Sequence, residues 1–374
     1  MRAILEAEPK TEILFFQIEN DAKIVTPYIF SETMKFGTTE FTRITCHIIS
    51  INPDLNQKRI KEISNINREF IIEQAKLLHP DVIQASDVRE IKLCLSMKKR
   101  LKCRAIYDSH EDYSRQIIDY ADSIKLRTLK EAFVFWFSEM RRIRQFDAVF
   151  CTDDYLHKKY RQPLYGARNV FLLRNFPYKI NMMVKETHFE TKNELKLVYI
   201  GGVNKYRGVI ECAEFCERFN TESNNNQKLH FTIYGPNNEI IESLKKRDLI
   251  QHFEWIEYID LMNALSQYDV GVCLWHPIPK FYRNLPLKNF DYMAAGLPIL
   301  TSNFGNLAKY LNESESGIGI EPTKYDEFKK AIITLFEPKI RFRFSQSGQK
   351  WVSKSGNFKN ESKEYVSIIL GHKN

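Results

Sequence analysis

The sequence predicts an α/β protein of two consecutive units, each a parallel sheet covered by helices on both faces. Three observations carry this reading. Short apolar runs of strand length alternate with longer stretches of helical periodicity through both halves of the chain. The alternation stops in a polar stretch, residues 179–196, and begins again at Leu197. The chain has 374 residues, which suits two or three domains better than one. The predicted boundaries are 1–178, 179–355 and a C-terminal helix over 356–374 that packs back on the first unit. Sheets of this kind bind ligands beyond the carboxyl ends of their strands, and two such units imply a deep cleft between them.

Composition excludes several classes. Hydrophobic residues make up 43% and aromatics 13%, enough for sizeable cores. No apolar run approaches the ~20 residues that span a bilayer. The first residues, MRAILEAEPKTEILFF, lack the layout of a signal peptide. The 7 cysteines are scattered and odd in number, which fits a reducing compartment rather than a disulfide framework. Cys212 and Cys216 share a helix face without zinc-site partners and read as core. The net charge of +8 is spread over both halves. Two local basic clusters stand out: Lys98, Lys99, Arg100, Lys102 and Arg104, and Arg141, Arg142 and Arg144. Either could form a solvated face or meet anionic lipid. No zinc finger or aromatic-glycine RNA-binding pattern is present, so nucleic acid is not an expected partner.

In chain order, ILFFQI (13–18) predicts a buried strand, Asn20-Asp21 a turn, and a helix includes Thr33 to Phe36. ITCHIISI (44–51) is the second strand. Residues 57–78 form a helix, with apolar positions at Ile60, Ile63, Ile66, Phe70, Ile71 and Leu77. VIQAS (82–86) is a strand, a helix holds Ile91 to Leu101, and Arg104 to Asp108 is the next strand. Residues 125–144 form the most amphipathic segment, with Leu126, Leu129, Phe133, Trp136, Met140 and Ile143 at steps of three and four. Val134, Phe135 and Phe137 widen that stripe beyond what one core face needs. A helix packed on the sheet and a membrane-surface helix both fit it. Strands at 147–151 and 170–173 complete the first unit.

The second unit opens with LVYI and Gly201-Gly202, then a helix over Val209 to Phe219. HFTIYG is a strand, a helix surrounds Ile240 to Lys246, FEWIEYI is a further strand, and Met262 to Ser266 is helical. After the strand Val270 to Leu274 comes YRNLPLKNFDYMAAGLPILTS (282–302). Leu285-Pro286 holds the chain out of helix. Asn289 through Ala295 is helical, Gly296 takes a left-handed cap, and Pro298 prevents continuation. Ile299 and Leu300 open a buried strand. A strand at Ile318 to Ile320 and a helix from Tyr325 to Phe336 follow.

Lys288 and Asp291 stand one turn apart on the same side of their helix. A cation and a carboxylate there could hold a diphosphate and a pair of vicinal hydroxyls; an ordinary surface ion pair fits equally well. Gly201-Gly202 ends a strand and Arg207-Gly208 precedes a helix. Glycines let backbone approach a ligand, a helix N-terminus offers free N–H groups, and Arg207 adds a bidentate clamp for phosphoryl oxygens. A tight strand–helix turn would use the same residues. His110, beside Asp108, Glu111 and Asp112, is open to a metal site, a general base or a hydrogen-bonded surface histidine. No Ser/His/Asp or Cys/His set is recognisable.

Assembled, the chain resembles a GT-B glycosyltransferase, closest to the retaining family 4 enzymes (glycosyl transferases group 1). LPLKNFDYMAAGLPILTS (285–302) is similar to that family's donor-site stretch. IYDSHED (106–112), LVYIGGVNKYRGV (197–209) and LLRNFPY (172–178) follow its order along the chain. The resemblance implies two Rossmann-like domains, a first that binds acceptor and a second that binds nucleotide-sugar. It implies that Asp291 binds the ribose hydroxyls, that Arg207 and Lys288 hold the donor diphosphate, and that Gly201 and Gly202 let backbone near the phosphates. His110 would reach the transferred sugar, and Asn20, Asp21 and Glu111 would lie on the acceptor side. His110, Arg207 and Lys288 are therefore the candidate catalytic residues. No metal and no cofactor are implied, because the departing diphosphate itself takes the acceptor proton. The chain departs from the family in four places: Asp291 replaces a glutamate, Arg283 stands where a first glutamate is usual, Gly202 replaces an arginine, and Glu19-Asn20-Asp21 stands where a glycine pair usually follows the first strand.

The function implied is sugar transfer from a UDP- or GDP-sugar to a glycan or lipid-linked acceptor, in bacterial surface polysaccharide synthesis. The expected location is cytoplasmic, peripheral on the inner face of the plasma membrane through residues 98–104 and 125–144. Two alternatives share the fold: a sugar-nucleotide epimerase, which would consume donor without acceptor, and a non-catalytic scaffold protein, which would bind nucleotide weakly or not at all.

Overall fold

The computed structural model describes residues 14–21, 28–36, 39–49, 57–119, 121, 123–177, 190–223 and 226–371. Within these stretches it describes side chains from residue 62 on, except 63 and 259. Contacts divide the chain into one unit of residues 1–173 with 362–374 and another of residues 174–361.

The first unit holds β1 (Leu14–Asp21), β2 (Tyr28–Phe36), β3 (Thr39–Ile49), α1 (Gln57–Leu77), β4 (Val82–Ala85), α2 (Ile91–Leu101) and β5 (Arg104–Ser109). It continues with α3 (Tyr113–Asp119), α4 (Leu126–Ile143), β6 (Ala148–Cys151), α5 (Asp154–Tyr160) and β7 (Val170–Leu172). Strands β4 to β7 form a parallel sheet in sequence order, and β1, β3 and β2 form a three-stranded sheet in that order. Two expectations fail here. Thr33 to Phe36 is strand, not helix, because β2 pairs antiparallel with β3 from Tyr28 opposite His47 to Phe36 opposite Thr39. Asn20-Asp21 is not a turn, because the parallel pairing of β1 with β3 continues to Asp21 opposite Ile49. Backbone pairing with a neighbouring strand decides both, and single-segment propensity does not contain it.

The second unit runs β8 (Glu194–Ile200), α6 (Val209–Glu222), β9 (Lys228–Tyr234), α7 (Glu239–Lys246), β10 (Gln251–Phe253), α8 (Tyr258–Leu265) and β11 (Val270–Cys273). It ends with α9 (Pro279–Arg283), α10 (Leu287–Ala294), β12 (Ile299–Ser302), α11 (Gly305–Ser314), β13 (Gly317–Ile320), α12 (Tyr325–Phe336), α13 (Pro338–Lys354) and α14 (Phe358–Glu361). The predicted strand FEWIEYI is strand only at Phe253, since α8 already begins at Tyr258. All six strands are parallel, in the order β10-β9-β8-β11-β12-β13. In sequence terms this is the doubly wound order 3-2-1-4-5-6, and the direction of winding reverses between β8 and β11. Side chains alternate across this sheet. Leu195, Leu197 and Tyr199 enter one core, with Val209, Phe328 and Leu335; Val198 and Ile200 enter the other, with Phe290, Tyr292 and Tyr310. Period two in β8 therefore buries both faces, which is why the run reads as almost continuously apolar.

The last helix, α15 (Lys363–Leu370), belongs to the first unit. Arg104 donates to its terminal carbonyls, to Ile368 O at 2.5 Å and to Ile369 O at 2.7 Å. These are carbonyls that a helix C-terminus leaves unsatisfied, so the arginine caps it. Tyr365 adds a hydrogen bond to Gln84 Oε1 at 2.7 Å and an edge contact with Phe150.

Helix α10 is fastened to the second sheet from beneath. Tyr292 Oη accepts from Ile200 N of β8 at 2.9 Å and donates to Val272 O of β11 at 3.3 Å. Gly271 is glycine because a Cβ there would stand 2.2 Å from the Tyr292 ring. Asn289 donates to Thr301 Oγ1, and Thr301 donates to Cys273 O, both at 3.1 Å. On its outer side Phe290 stacks with Trp351 at 5.6 Å and meets Tyr310 and Phe176 edge-on. Gly296, at φ +76°, ends the helix, and Leu297 N donates back to Tyr292 O at 2.8 Å. Tyr292→Phe leaves the buried Ile200 N–H without its acceptor, so urea unfolding of that variant shows a loss of about 1–3 kcal/mol.

Candidate nucleotide-binding site

The winding reversal puts two loops side by side: the one after β8, from Gly201 to Gly208, and the one after β11, from Leu274 onward. Ligands of doubly wound sheets lie at this place. Gly201 has φ +112°, and a Cβ on it would point at Lys288 Nζ, 3.5 Å away. A side chain there would stand between the loop and the ammonium. Gly202 is exposed, and a Cβ on it would meet nothing within 4 Å. Its carbonyl accepts from Tyr199 Oη at 2.8 Å, which holds the loop against the strand below. Gly208, at φ +64°, is the residue before α6, and a Cβ there would lie 1.7 Å from Leu274 O. The two loops therefore touch backbone to backbone, a closeness only glycine permits. No side-chain hydrogen bond caps α6, which leaves its first N–H groups to other acceptors.

Two cations converge above this turn. Lys288, on the first turn of α10, is 7% exposed, and its ammonium lies 3.6 Å from the centre of the Tyr199 ring. Arg207 stacks over Trp275 at 5.5 Å and Phe281 at 5.7 Å. Aromatic faces attract both, but they cannot neutralise a charge. Lys288 Nζ, Arg207 Nε and Trp275 Nε1 are buried without a hydrogen-bond acceptor. Among the described residues, no carboxylate forms an ion pair with Lys288 or Arg207. Burial pushes the Lys288 ammonium down to about 7, with Arg207 acting in the same direction and the Cys273 thiol and Asp291 opposing. A lysine half-charged near neutrality beside Gly201, with an arginine at the turn before a helix, fits a phosphate or diphosphate dianion.

Asp291 stands one turn further along α10. Its Oδ1 accepts from Tyr258 Oη at 2.7 Å. Burial raises its carboxyl to about 6, against the lowering effects of the Tyr258 hydrogen bond and of Lys288. It is thus ionised near pH 7 and able to accept from a pair of hydroxyls. Behind the arginine, His276 Nε2 lies 2.8 Å from Glu211 Oε1 on α6, and His276 N donates to Tyr206 O at 2.9 Å. These contacts tie the two loops together a second time.

The structure therefore brings Gly201, Arg207, Lys288 and Asp291 into one place, with Gly202 on the open rim. Tyr258, Tyr199 and Trp275 complete it and carried no sequence signal. The two ring platforms lie at strand ends that read simply as core, and Tyr258 lay inside the segment taken for a strand. Arg283, at the end of α9, offers its carbonyl to Asn306 Nδ2 at 2.7 Å.

The remaining sequence candidates belong to the first unit. His110 follows β5, and its Nε2 lies 3.1 Å from Asp108 Oδ2, which also accepts from Gln84 at 3.1 Å. The hydrogen bond to Asp108 raises the His110 imidazolium above its ordinary range, against burial. Glu111 accepts from Gln116. Asn20 and Asp21 are the last residues of β1, and their side chains lie outside the described residues. Asp112 does not join His110, because Lys159 holds it at 3.0 Å. Among the described residues, no group of three or more His, Cys, Asp or Glu is placed to hold a metal ion.

Residues 194–338 match the model of the family described as Glycosyl transferases group 1. No curated protein matches the chain. The fold is GT-B, shared with enzymes of known structure. An α,α-trehalose-phosphate synthase (UDP-forming) from Burkholderia xenovorans superposes with TM-score 0.68 at 11% identity, over 98% of this chain and 94% of that one. A sucrose-phosphate synthase from Thermosynechococcus elongatus gives 0.64 at 14% identity, over 99% and 89%. HepE from Anabaena, solved with UDP and glucose, gives 0.60 at 11%, over 88% and 86%.

Replacing Lys288 by methionine removes a buried charge that has no counter-ion, so the variant is more stable near neutral pH by about 1–4 kcal/mol. The folded-state value lies below the unfolded one, so the penalty is full below pH 7 and fades as pH rises towards the ordinary lysine range. Urea titrations across that range therefore show the gain shrinking with pH.

Proposed function

We propose that this chain, whose residues 194–338 carry the glycosyl transferases group 1 match, transfers a sugar from a nucleotide-sugar to a hydroxyl acceptor. The observation that carries this reading is the pair of cations Arg207 and Lys288, which among the described residues have no carboxylate partner, beside the N-terminus of α6 and one turn from Asp291. A nucleoside diphosphate presents complementary groups: a diphosphate for the cations and the helix end, and ribose hydroxyls for the carboxylate. The UDP named in the HepE structure and in the synthase's description supports the same donor class.

In the reaction so read, the acceptor hydroxyl oxygen bonds to the anomeric carbon as the carbon–oxygen bond to the diphosphate breaks. Negative charge then grows on the leaving oxygen. Fixed donors aimed at that charge lower the barrier, because they are already oriented and half-desolvated before the reaction begins. Arg207, Lys288 and the first N–H groups of α6 fill this role. For transfer with retention, the acceptor proton goes to the departing diphosphate, and no protein base is needed. His110, held through Asp108, is assigned to the transferred sugar, with Glu111, Asn20 and Asp21 on the acceptor side. The acceptor is proposed to be a glycan or a lipid-linked saccharide, as in surface polysaccharide synthesis.

Calorimetric titration with UDP, GDP and ADP tests the donor reading. One nucleotide binds, and Lys288→Ala weakens it by about tenfold or more, the loss of one charge-assisted contact. His110→Ala leaves that affinity unchanged and lowers transfer. Donor consumed without acceptor would favour an epimerase, and no binding of any nucleotide would favour a non-catalytic protein.

A further inference from the structure

Two features noted in the sequence remain outside the proposed reaction: the amphipathic helix α4 and the two basic clusters. Their fates differ. In the first cluster, Lys98 donates to Gln145 O and pairs with Asp147 at 2.9 Å, Arg100 pairs with Glu69, and Arg104 caps α15. Internal contacts thus occupy three of its five cations. Lys99 and Lys102 alone remain exposed without a described ion pair.

Helix α4 buries only part of its apolar surface. Ala132, Met140 and Ile143 enter the core of the first unit, and Glu139 is buried under Lys159 and Tyr160. Beside that buried side, and overlapping it at Leu129 and Phe133, which line a groove with Ala132 and Trp136, Leu126, Leu129, Phe133, Val134 and Phe137 are exposed by 83%, 45%, 58%, 55% and 40%, with Ile124 just before the helix at 61%. Lys125, Arg127, Lys130, Arg141 and Arg144 are exposed among and beside them, and Glu131 is the sole exposed acid of the segment 124–144. Phe133 stacks on Phe137, and Arg141 lies over the Phe137 ring. So many large apolar side chains on one helix face exceed the scattered exposure usual on a soluble surface. Their rim is almost wholly cationic. A protein partner could cover the apolar residues, but five cations against one acid ask for a dense negative surface.

We propose that the outer face of α4 lies on an anionic lipid bilayer, with Leu126, Leu129, Phe133, Val134 and Phe137 in the headgroup–acyl boundary and the surrounding cations on the phosphates. A helix in this position lies in the plane of the interface and does not cross it. Among the described residues no helix is long and apolar enough to span a membrane. The cluster at 98–104 contributes little, because its cations serve the fold. The inference is independent of the transfer reaction, since it uses no residue of the nucleotide site.

Flotation of the full chain with vesicles tests it, with phosphatidylcholine alone against phosphatidylcholine containing about one third phosphatidylglycerol. The wild-type chain floats with the anionic vesicles and less so as salt rises. Phe133→Ser with Phe137→Ser lowers partitioning by about tenfold or more, from lost apolar burial. Arg127→Glu with Lys130→Glu lowers it by about fivefold or more for each reversed charge. Arg127→Lys with Lys130→Arg restores it, and Lys99→Glu with Lys102→Glu leaves it near wild type. All these positions are exposed, and thermal melts confirm that each variant is folded. Failure of the wild-type chain to float, or equal flotation of the Phe133/Phe137 variant, overturns the inference. So does a concentration-dependent dimer that the same variant converts to monomer, since a second copy would then cover the face.

Discussion

The burial of one ammonium group without an anion organises the second unit. Lys288 sits on the first turn of α10 with its charge against the Tyr199 ring and with Arg207, a like charge, close by. Removing a charge from water costs several kcal/mol unless a partner returns it. Here no side chain among the described residues does so, and burial pushes the ammonium down to about 7. A fold keeps such an unfavourable arrangement only if the rest of it is strong enough to hold the lysine in place. The hydrogen bonds of Tyr292 to β8 and β11, the Asn289–Thr301–Cys273 chain and the ring cluster of Phe290, Tyr310, Trp351 and Phe176 supply that strength.

Three glycines serve the same arrangement. Gly201 clears the path to the ammonium, Gly208 lets the β8 and β11 loops touch, and Gly271 makes room for the Tyr292 ring. A side chain at Gly208 would push the β11 loop away, one at Gly271 would displace the Tyr292 ring and with it α10, and Gly201 holds a φ of +112° that side chains disfavour. The glycines, the cations and the end of α6 thus form one device: a positively charged pocket floor made of backbone, with the two charges stacked on rings.

Much of this was legible in the sequence because it rests on local rules. Gly296 and Pro298 marked the end of α10, Lys288 and Asp291 fell on one face by helical spacing, and the glycine pairs marked loops after a strand and before a helix. The parallel sheet was implicit in the alternation of elements, and the resemblance to glycosyl transferases group 1 pointed to the same stretch. The rest was hidden for physical reasons. Tyr199, Trp275 and Tyr292 read as core because the sequence does not show which face of a buried ring meets a cation or a backbone amide. Tyr258 was lost because β10 stops after three residues. The antiparallel pairing of β2 with β3 overrode a helical reading of Thr33 to Phe36. The basic run 98–104 looked like a surface patch, yet most of its charge is committed to Asp147, Glu69 and the end of α15.

Asp291 and Lys288 titrate towards each other, at about 6 and about 7, so the site has its working charge state only in a narrow window. A bound diphosphate stabilises the ammonium and raises its pKa, so binding above pH 7 must draw a proton onto Lys288. The most direct test is calorimetry of nucleoside diphosphate binding near pH 8 in buffers of different ionisation enthalpy. A lysine held low by burial requires net proton uptake on binding, lost in Lys288→Met, with affinity falling as pH rises above 7. Tight binding with no proton exchanged and a flat pH profile would contradict it.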